Sequence, residues 1–402
     1  MPPFQGKELA RLSPLLRRIV EQIEAACPAS GFTRNAAAIA QLSRLFTKER
    51  DTLGADYLKD PDLAAAYLSY FFPVNLSKIQ VLLDELPQDW SRPPEDGTLR
   101  VLDLGTGPGT GAMAVLDWLN QHDPDALKKL TVMAVDRSPQ ALRQARALWN
   151  AYSRQIGVAG ESLIVAEGEV TRSTGKGWHD RMAEHGPYDL ILVANCLNEL
   201  FGQTRNSIEE RFGLIADLAE RLTPHGTLMI VEPALRETSR ALHQVRDQLL
   251  TENRCTVYSP CLHENNCPAL LNPDDWCHEE RAWEPPPWIQ QIDREVGFIK
   301  DALKFSYLLL RTDGRTIAER SPQIFRMVSE LRKLKGDTRA WLCNEVGRSE
   351  IGRLDRAWSD SNSAWDQCRR GTIVHIEGMT KKDGSTLGRI PAQGTIEIVR
   401  RA

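Results

Sequence analysis

The first part of the chain has the apolar spacing of helices. Apolar side chains recur there at intervals of three and four residues, at Leu9, Leu12, Leu15, Leu16, Ile19 and Ile23. This spacing places them on one face of an α-helix, and it returns between residues 64 and 86. Residues 87–97, rich in proline and charge, interrupt it. We therefore predict an N-terminal helical domain over residues 1–98.

Beyond residue 98 the pattern changes to short apolar runs that alternate with amphipathic helical stretches. The runs are 99–104, 130–135, 163–165, 188–194 and 227–231. Strands separated by helices are typical of βαβ units, in which helices cover both faces of a parallel sheet. We therefore predict an α/β fold with a doubly wound sheet over residues 99–240.

The remainder of the chain divides into a cysteine-rich part and a β-rich part. Residues 240–300 have little periodicity, and a structureless segment of this length inside a compact chain indicates an external organiser. We assign the cysteine-rich region to residues 241–345. Strand-like runs separated by glycine-containing turns occur at 305–310, 338–343, 372–377 and 394–399. They predict that the last hundred residues are rich in strands and end in a small basic β-rich module, which we assign to residues 346–402.

The composition fits an ordinary globular protein and excludes several other classes. Of 402 residues, 42% are apolar and 26% are charged, values close to the globular average. No stretch has the roughly 18 to 20 apolar residues of a membrane span. Residues 1–18 lack the continuous apolar segment of a secretory signal. We therefore expect a cytoplasmic protein without a membrane partner, whose cysteines stay reduced.

The net charge of −4 conceals an asymmetry along the chain. From residue 300 onwards, 20 lysines and arginines stand against 13 aspartates and glutamates, so this part carries +7. Phosphate contacts by Lys and Arg are independent of sequence, so the asymmetry favours a polyanionic partner such as structured RNA. The alternative is an ordinary solvated surface, and the aromatic residues nearby are more often part of a core.

A glycine-rich loop follows the first predicted strand. Gly105, Gly107 and Gly109 lie between the run Val101–Leu104 and a predicted helix, where they let the backbone turn tightly and approach a ligand. About 30 residues later, Asp136 ends the second strand. A carboxylate at that position can accept hydrogen bonds from both ribose hydroxyls of an adenosine group. A dinucleotide site and a purely structural turn are the alternatives.

The stretch from Val101 to Thr110 resembles motif I of the S-adenosylmethionine-dependent methyltransferases. The resemblance implies a Rossmann-like fold in which the loop holds the methionine part of the cofactor, Asp136 the ribose and Glu169 the adenine. It implies cofactor-binding residues at Asp103, Gly105, Thr106, Gly107, Gly109, Asp136, Glu169 and Asn195. Asn195–Glu199 reads Asn-Cys-Leu-Asn-Glu rather than the Asn-Pro-Pro-Tyr that positions a base amine. We can name no catalytic residue, so methyl transfer itself is left open.

Four of the eight cysteines, at positions 255, 261, 267 and 277, fall within 23 residues. Zinc sites favour paired cysteines two to four residues apart, and no such pair occurs here. The wider spacing better suits an iron-sulfur cluster, whose corners can be reached from separated backbone positions. Zinc, with His263 or His278 as a ligand, is the second interpretation, and small buried thiols are the third.

Several motifs together look like the methyltransferase-like proteins of the bacterial and mitochondrial small ribosomal subunit. They are Asn198-Glu-Leu200, Leu228–Pro233, Cys261-x5-Cys267-Pro, Asp275-Trp-Cys277-His, Lys304-Phe-Ser-Tyr307 and Leu342-Cys343. The resemblance covers residues 60 to 345. It implies a [4Fe-4S] cluster held by Cys261, Cys267, Cys277 and Cys343, with Cys255 as a spare thiol. It also implies a role in ribosome assembly and translation through binding of ribosomal RNA.

Two other functions compete with this interpretation. One is an active methyltransferase with a structural zinc site and a non-ribosomal substrate. The other is a radical enzyme, which needs a compact Cys-x3-Cys-x2-Cys loop that the sequence lacks. On the leading interpretation, the cluster braces the cysteine loop against the basic module, so that its loss would disperse the charges that face RNA.

Overall fold

A computed structural model describes residues 10–25, 32–49, 57–92, 97–158, 160–170, 178–202, 204–299, 301–381 and 387–401. The chain divides into two compact units. The first comprises Met1–Leu200, Arg221–Gly226 and Ala282–Leu303, and the second comprises Phe201–Glu220, Thr227–Arg281 and Lys304–Ala402. None of the described helices combines the length and apolar character needed to cross a membrane.

The N-terminal part of the first unit is helical, as its spacing predicts. It contains α1 (Pro14–Ala25), α2 (Phe32–Thr47), α3 (Pro61–Ala66) and α4 (Phe72–Leu83), with a π-helical turn at Tyr67–Phe71 between the last two. Asp60 caps α3 by accepting hydrogen bonds from the backbone N–H groups of Asp62 and Leu63, which the first turn of a helix leaves without partners.

A parallel sheet forms the centre of the first unit. Its strands are β1 (Leu99–Leu104), β2 (Leu130–Asp136), β3 (Leu163–Glu167) and β4 (Tyr188–Ala194), in the order β3-β2-β1-β4. Helices α5 (Thr110–His122), α6 (Pro124–Leu127), α7 (Pro139–Ile156) and α8 (Trp178–His185) connect them. This order brings the carboxyl ends of four strands to one edge. The predicted α/β class with a Rossmann-like sheet is confirmed.

The middle of the chain adds antiparallel strands. These elements are α9 (Ser207–Ala219), β5 (Leu222–Pro233), α10 (Arg236–Thr251), β6 (Thr256–Ser259), β7 (Glu279–Ala282), α11 (Pro287–Val296) and β8 (Ala302–Arg311). In the second unit β8 runs antiparallel to β5 and to β6. The strand-like run 305–310 is therefore part of β8, which lies between β5 and β6.

The C-terminal part is β-rich, as predicted. It contains β9 (Ile324–Met327), β10 (Arg332–Leu334), β11 (Asp337–Asn344), β12 (Gly347–Leu354), β13 (Ile373–Glu377), β14 (Thr380–Lys381), β15 (Leu387–Arg389) and β16 (Thr395–Arg400). Their order is β14-β15-β12-β11-β9-β13-β16, and β10 pairs with β11. Trp365, from a 3₁₀ helix at Asp360–Gln367, is fully buried with Leu342, Ile351 and Val374 in the core of this sheet.

Candidate functional sites: a glycine loop and a cysteine cavity

The glycine loop, residues 105–109, leaves β1 with three backbone conformations that L-residues rarely adopt. The φ angles of Gly105, Gly107 and Gly109 are 69°, 55° and 90°. A Cβ atom on Gly105 would lie 2.3 Å from the sulfur of Cys196, whereas one on Gly107 would meet nothing within 4 Å. Glycine is thus required by packing at the first position, and there is open space at the second.

Asp103 supports this loop from inside the fold. The side chain is 1% exposed, and its Oδ2 atom accepts hydrogen bonds from Thr106 Oγ1 at 2.5 Å and from the Ala112 N–H at 2.8 Å. Burial raises the pKa of this carboxyl to about 6, although the hydrogen bonds from Thr106 and Ala112 oppose the rise. Asp103 and Thr106 therefore fix the shape of the loop.

Asp136 joins the loop to the end of β2. Its Oδ2 atom accepts a hydrogen bond from the Gly107 N–H at 2.8 Å, and its Oδ1 atom accepts one from the Ser138 N–H at 2.8 Å. Burial raises the pKa of the carboxyl, and these two hydrogen bonds lower it. The carboxylate lies beside the loop, where a ribose would need an acceptor.

Glu169 and Asn195 lie at the same edge of the sheet. Glu169 follows β3 and is exposed, while its backbone carbonyl accepts a hydrogen bond from Trp178 Nε1 at 2.9 Å. Asn195 follows β4 and has a φ of 54°. Since β3 neighbours β2 and β4 neighbours β1, both residues follow the carboxyl ends of strands that flank the loop.

Sequence reasoning missed an aromatic wall beside the glycine loop. Tyr67 Oη lies 3.5 Å from Thr110 Oγ1 at the start of α5, and the ring of Tyr57 lies 6.4 Å from that of Tyr67. Burial raises the pKa of both phenols, and the nearby Glu199 and Asp136 carboxylates raise it further. No local signal marks these tyrosines, because the helical segment folds back onto a loop that is remote in sequence.

The second site is a cavity lined by four thiols, here called the cysteine cavity. Cys261, Cys267, Cys277 and Cys343 line a space of about 50 Å³, several times the roughly 10–15 Å³ that one water requires. Burial, together with the proximity of the other thiols, raises the pKa of Cys277 and of Cys343 to about 12 and also raises that of Cys267. Cys255 is not among the residues that line the cavity.

Helix α10 holds the segment that carries Cys261 and Cys267. The fully buried Arg246 donates hydrogen bonds to the backbone carbonyls of His263 at 2.7 Å and Asn265 at 2.8 Å. Asp247 accepts a hydrogen bond from the Cys267 N–H at 2.9 Å. The cysteine loop is therefore positioned by protein groups, and Arg246 supplies positive charge close to Cys261 and Cys267.

The segment that carries Cys277 is held by residues of α10 that come before Arg246. Arg240 donates to the carbonyls of Asn272 and Asp275, each at 2.7 Å. His243 Nε2 lies 3.2 Å from the Cys277 carbonyl, and burial lowers the pKa of this imidazole to about 4. A neutral imidazole can donate its proton to that carbonyl. Sequence reasoning did not single out Arg240, His243 or Arg246.

Cys343 reaches the cavity from the C-terminal sheet. It lies on β11, opposite Arg326 of β9 and Arg348 of β12. Arg348 pairs with Asp275, and Asn265 Nδ2 donates to the Glu345 carbonyl at 3.0 Å. Two contacts that need no metal therefore join the β11–β12 hairpin to the cysteine-bearing segments.

The four thiols that line the cavity are of a chemical type that binds metals. Tetrahedral zinc at 2.3 Å from each sulfur needs thiols about 3.8 Å apart. Within the described residues, no group of three or more His, Cys, Asp or Glu side chains has an arrangement that could hold a metal ion. Thiolates are ligands of structural zinc and of iron-sulfur clusters, so these side chains are of the right type for either group.

Comparison with known proteins identifies the family. The sequence profile described as "Mitochondrial small ribosomal subunit Rsm22" matches residues 61–352. The chain belongs to the Rsm22 family. The resemblance seen in the motifs is therefore confirmed, and it extends over most of the chain. A search of curated proteins found no significant match.

Solved methyltransferase structures also show similarity to this Rsm22-family chain. An O-methyltransferase family protein from Burkholderia thailandensis is 18% identical, with a TM-score of 0.33 over 68% of this chain and 64% of its own, so the chain spans just under two thirds of that protein. A methyltransferase from Thiobacillus denitrificans, in complex with S-adenosyl-L-homocysteine, is 15% identical, with a TM-score of 0.30 over 59% of this chain and 90% of its own.

Proposed function

We propose that this Rsm22-family chain binds S-adenosylmethionine and an iron-sulfur cluster and acts on the small ribosomal subunit through ribosomal RNA. The observation that carries the proposal is that Cys261, Cys267, Cys277 and Cys343 line one cavity. The family description names the small ribosomal subunit, which gives the partner. The cytoplasmic location expected from the sequence stays a prediction, because that description is of a mitochondrial subunit.

The cofactor proposal rests on the glycine loop and the groups around it. The open space above Gly107 and the backbone turn at Gly105 provide room for the methionine part of S-adenosylmethionine. Asp136 can accept hydrogen bonds from the ribose, and the exposed side chain of Glu169 is available to the adenine. The tyrosines at positions 57 and 67 add an apolar wall on the side of the N-terminal helices.

Methyl transfer is not part of the proposal. Asn195–Glu199 lacks the Pro-Pro-aromatic continuation that positions a base amine, and the thiol of Cys196 packs against Gly105. S-Adenosylmethionine supplies an electrophilic methyl group when bound, but no side chain near the loop can be named as the base or acid that would direct its transfer. We therefore treat the cofactor as a ligand of the subunit-binding protein.

The cluster proposal rests on ligand chemistry and on the surroundings of the thiols. A [4Fe-4S] cluster bound by four thiolates carries negative charge, which the buried guanidinium of Arg246 can offset. The ligands would be the four cysteines that line the cavity, and the cluster would supply a covalent link between segments that are remote in sequence. Its binding would then contribute to the folding of the second unit.

Metal analysis tests the cluster directly. Protein purified without oxygen should contain about four iron and four sulfide per chain and should be brown, as a [4Fe-4S] cluster requires. Stoichiometric zinc with no sulfide would contradict the proposal and favour the methyltransferase with a structural zinc site.

Sedimentation with small ribosomal subunits tests the partner. The holoprotein should sediment with the subunits, and a Cys277→Ser variant should lose both its colour and its association if the cluster braces the RNA-facing charges. Association that survives the loss of colour would contradict the bracing role. Absence of association in the holoprotein would contradict the proposed function itself.

A further inference from the structure

The C-terminal strands have a topology that the sequence pattern did not disclose. β9 pairs with both β11 and β13, β11 pairs with β12, and β13 pairs with β16, all antiparallel. β12 pairs with β15 in parallel. β15 pairs with β12 near one end of this series of strands, and β16 pairs with β13 at the other end. Because only residues 390–394 separate β15 from β16, the two can be described as one strand with an interruption. If the short β10 and β14 are set aside and β15 and β16 are counted as one strand, five strands follow one another around a barrel, with a 3₁₀ segment between the third and the fourth.

This topology is that of the OB-fold. A five-stranded Greek-key barrel of this kind binds oligonucleotides or oligosaccharides on its second and third strands and on the loops after its first and fourth strands. Here those strands are β11 and β12. The loop after the first strand contains the exposed strand Arg332–Leu334 and Lys335, and the loop after the fourth contains the exposed Lys381. Both loops are basic where the fold places its ligand.

Strand alternation identifies the side chains on the outer face of β11 and β12. Ala340, Leu342 and Ile351 are fully buried in the barrel core. Because neighbouring residues of a strand point to opposite faces, Arg339 and Trp341 of β11 face outward, as do Glu350 and Gly352 of β12.

The strand register aligns arginines in a row across this outer face. Arg332 of β10 lies opposite Arg339 of β11, Arg339 lies opposite Gly352 of β12, and Gly352 lies opposite Arg389 of β15. A Cβ atom on Gly352 would come within 2.8 Å of Arg339 Cγ and 3.0 Å of Arg389 Nη1. Glycine at this position therefore lets the two arginines approach each other across β12.

Two carboxylates hold the row in place without cancelling its charge. Asp337 binds Arg339 at 2.6 Å and Arg389 at 2.9 Å, and Glu350 pairs with Arg332 and Arg339. Three guanidinium groups thus stand against two carboxylates. Each guanidinium has five N–H donors, more than these pairs use, so the row keeps donors for a phosphate. The lysines of the flanking loops add further positive charge.

We propose that the outer face formed by Arg332, Arg339, Trp341, Gly352 and Arg389 binds a single-stranded segment of RNA. The arginine row would contact the phosphates, and the half-buried ring of Trp341, with Arg348 4.9 Å from its centroid, would stack on a base. This inference rests on the proposed function, since it names the surface and the form of RNA. Cys343 lies on the same face two residues beyond Trp341, so the cysteine cavity adjoins one end of the RNA path.

Fluorescence anisotropy with the full-length holoprotein tests the inference. The probe is a labelled single-stranded RNA of about 12 nucleotides, within the site size of OB-folds, with a duplex of the same length as competitor. Trp341→Ala should weaken binding about tenfold, whereas Trp358→Ala, which removes an exposed tryptophan outside this face, should change it less than about twofold.

A second variant changes only exposed lysines of the loop after the first barrel strand, so its effect on RNA binding does not depend on the stability of the fold. Lys333→Gln combined with Lys335→Gln should reduce the slope of log affinity against log salt by about 1.4, the value for two lost single-strand phosphate contacts. Lys128→Gln combined with Lys129→Gln, an exposed pair in the first unit, should leave the slope unchanged. Equal effects of both pairs, or tighter binding of the duplex, would overturn the inference. Sedimentation with the small subunit is a separate readout, so this failure is distinguishable from failure of the proposed function.

Discussion

The glycine loop and the cysteine cavity are assembled from the chain in different ways. Residues 103–136 supply the support, the turns and the acceptor of the glycine loop, and local hydrogen bonds from Thr106 and Gly107 hold them. The cavity takes thiols from three segments between residues 261 and 343, held by side chains from α10 and from the β11–β12 hairpin. A local site depends on backbone conformation, whereas a dispersed site depends on buried polar side chains.

The largest loss of stability is expected when Arg246, which positions the cysteine-bearing loop, is replaced. Arg246→Met should lower the free energy of unfolding by about 3–5 kcal/mol, because it removes one partner of a buried ion pair and leaves Asp247 uncompensated. It also removes the donors that hold the His263 and Asn265 carbonyls. Denaturant unfolding measures the loss, and iron content should fall with it. Arg254→Gln, at an exposed site just after α10, should cost less than about 0.5 kcal/mol; comparable losses in both variants would contradict this role of Arg246.

A single added methyl group at Gly105 should weaken cofactor binding at the glycine loop. Gly105→Ala introduces a side chain at a φ of 69° and within 2.3 Å of the Cys196 sulfur, so we expect S-adenosylmethionine affinity to fall at least about tenfold, which corresponds to about 1.4 kcal/mol. Calorimetric titration measures it. Gly202→Ala, where the added atom meets nothing within 4 Å, should bind normally. Retained affinity in Gly105→Ala would exclude the loop as the cofactor site.

Asp103, which supports the glycine loop, should make the stability of the fold depend on pH. The pKa of Asp103 is about 6 in the folded chain and 3.8 as a model value, so the folded state binds a proton more tightly than the unfolded state. The stability this supplies is present below pH 3.8 and is lost as the pH rises through 6. The free energy of unfolding of the wild-type protein should therefore contain a decrease on the order of 2–3 kcal/mol between pH 4 and 7 that comes from Asp103. This decrease should be absent from the Asp103→Asn variant. Parallel stability–pH curves for the two proteins would contradict the raised pKa.

Loss of a thiol outside the cavity should have the smallest effect. Cys255 is half-buried, and burial raises its pKa to about 12, so it resembles a small apolar side chain. Cys255→Ala should therefore change stability by about 1 kcal/mol or less and should leave the iron content at the wild-type value. A marked loss of iron in this variant would indicate that Cys255 is a ligand. It would contradict the distinction between Cys255 and the four thiols that line the cavity.

The sequence predicted what depends on local order. The run 99–104 is β1 without change, and 130–135 and 188–194 are β2 and β4 to within one residue. The position of Asp136 beside Gly107 follows from the parallel order of β1 and β2. The run 305–310 is part of β8, but its pairing with β5 and β6 could not be predicted, because apolar periodicity identifies a strand without identifying its neighbours.

Long-range packing could not be predicted from the pattern. Tyr57 and Tyr67 reach the glycine loop only because the helices pack against α5 and α7. Arg240 and Arg246 read as ordinary charges of an amphipathic helix, and their role depends on a loop that comes later in the chain. The arginine row across Gly352 depends on strand register, which no single strand encodes.

The most direct test of the central claim is the iron content of Cys343→Ser compared with that of Cys255→Ser, each purified without oxygen. If thiols from remote segments hold one cluster, the first variant loses most of its iron and sulfide and the second keeps about four of each per chain. Full iron and sulfide in Cys343→Ser, with loss in Cys255→Ser, would contradict the account.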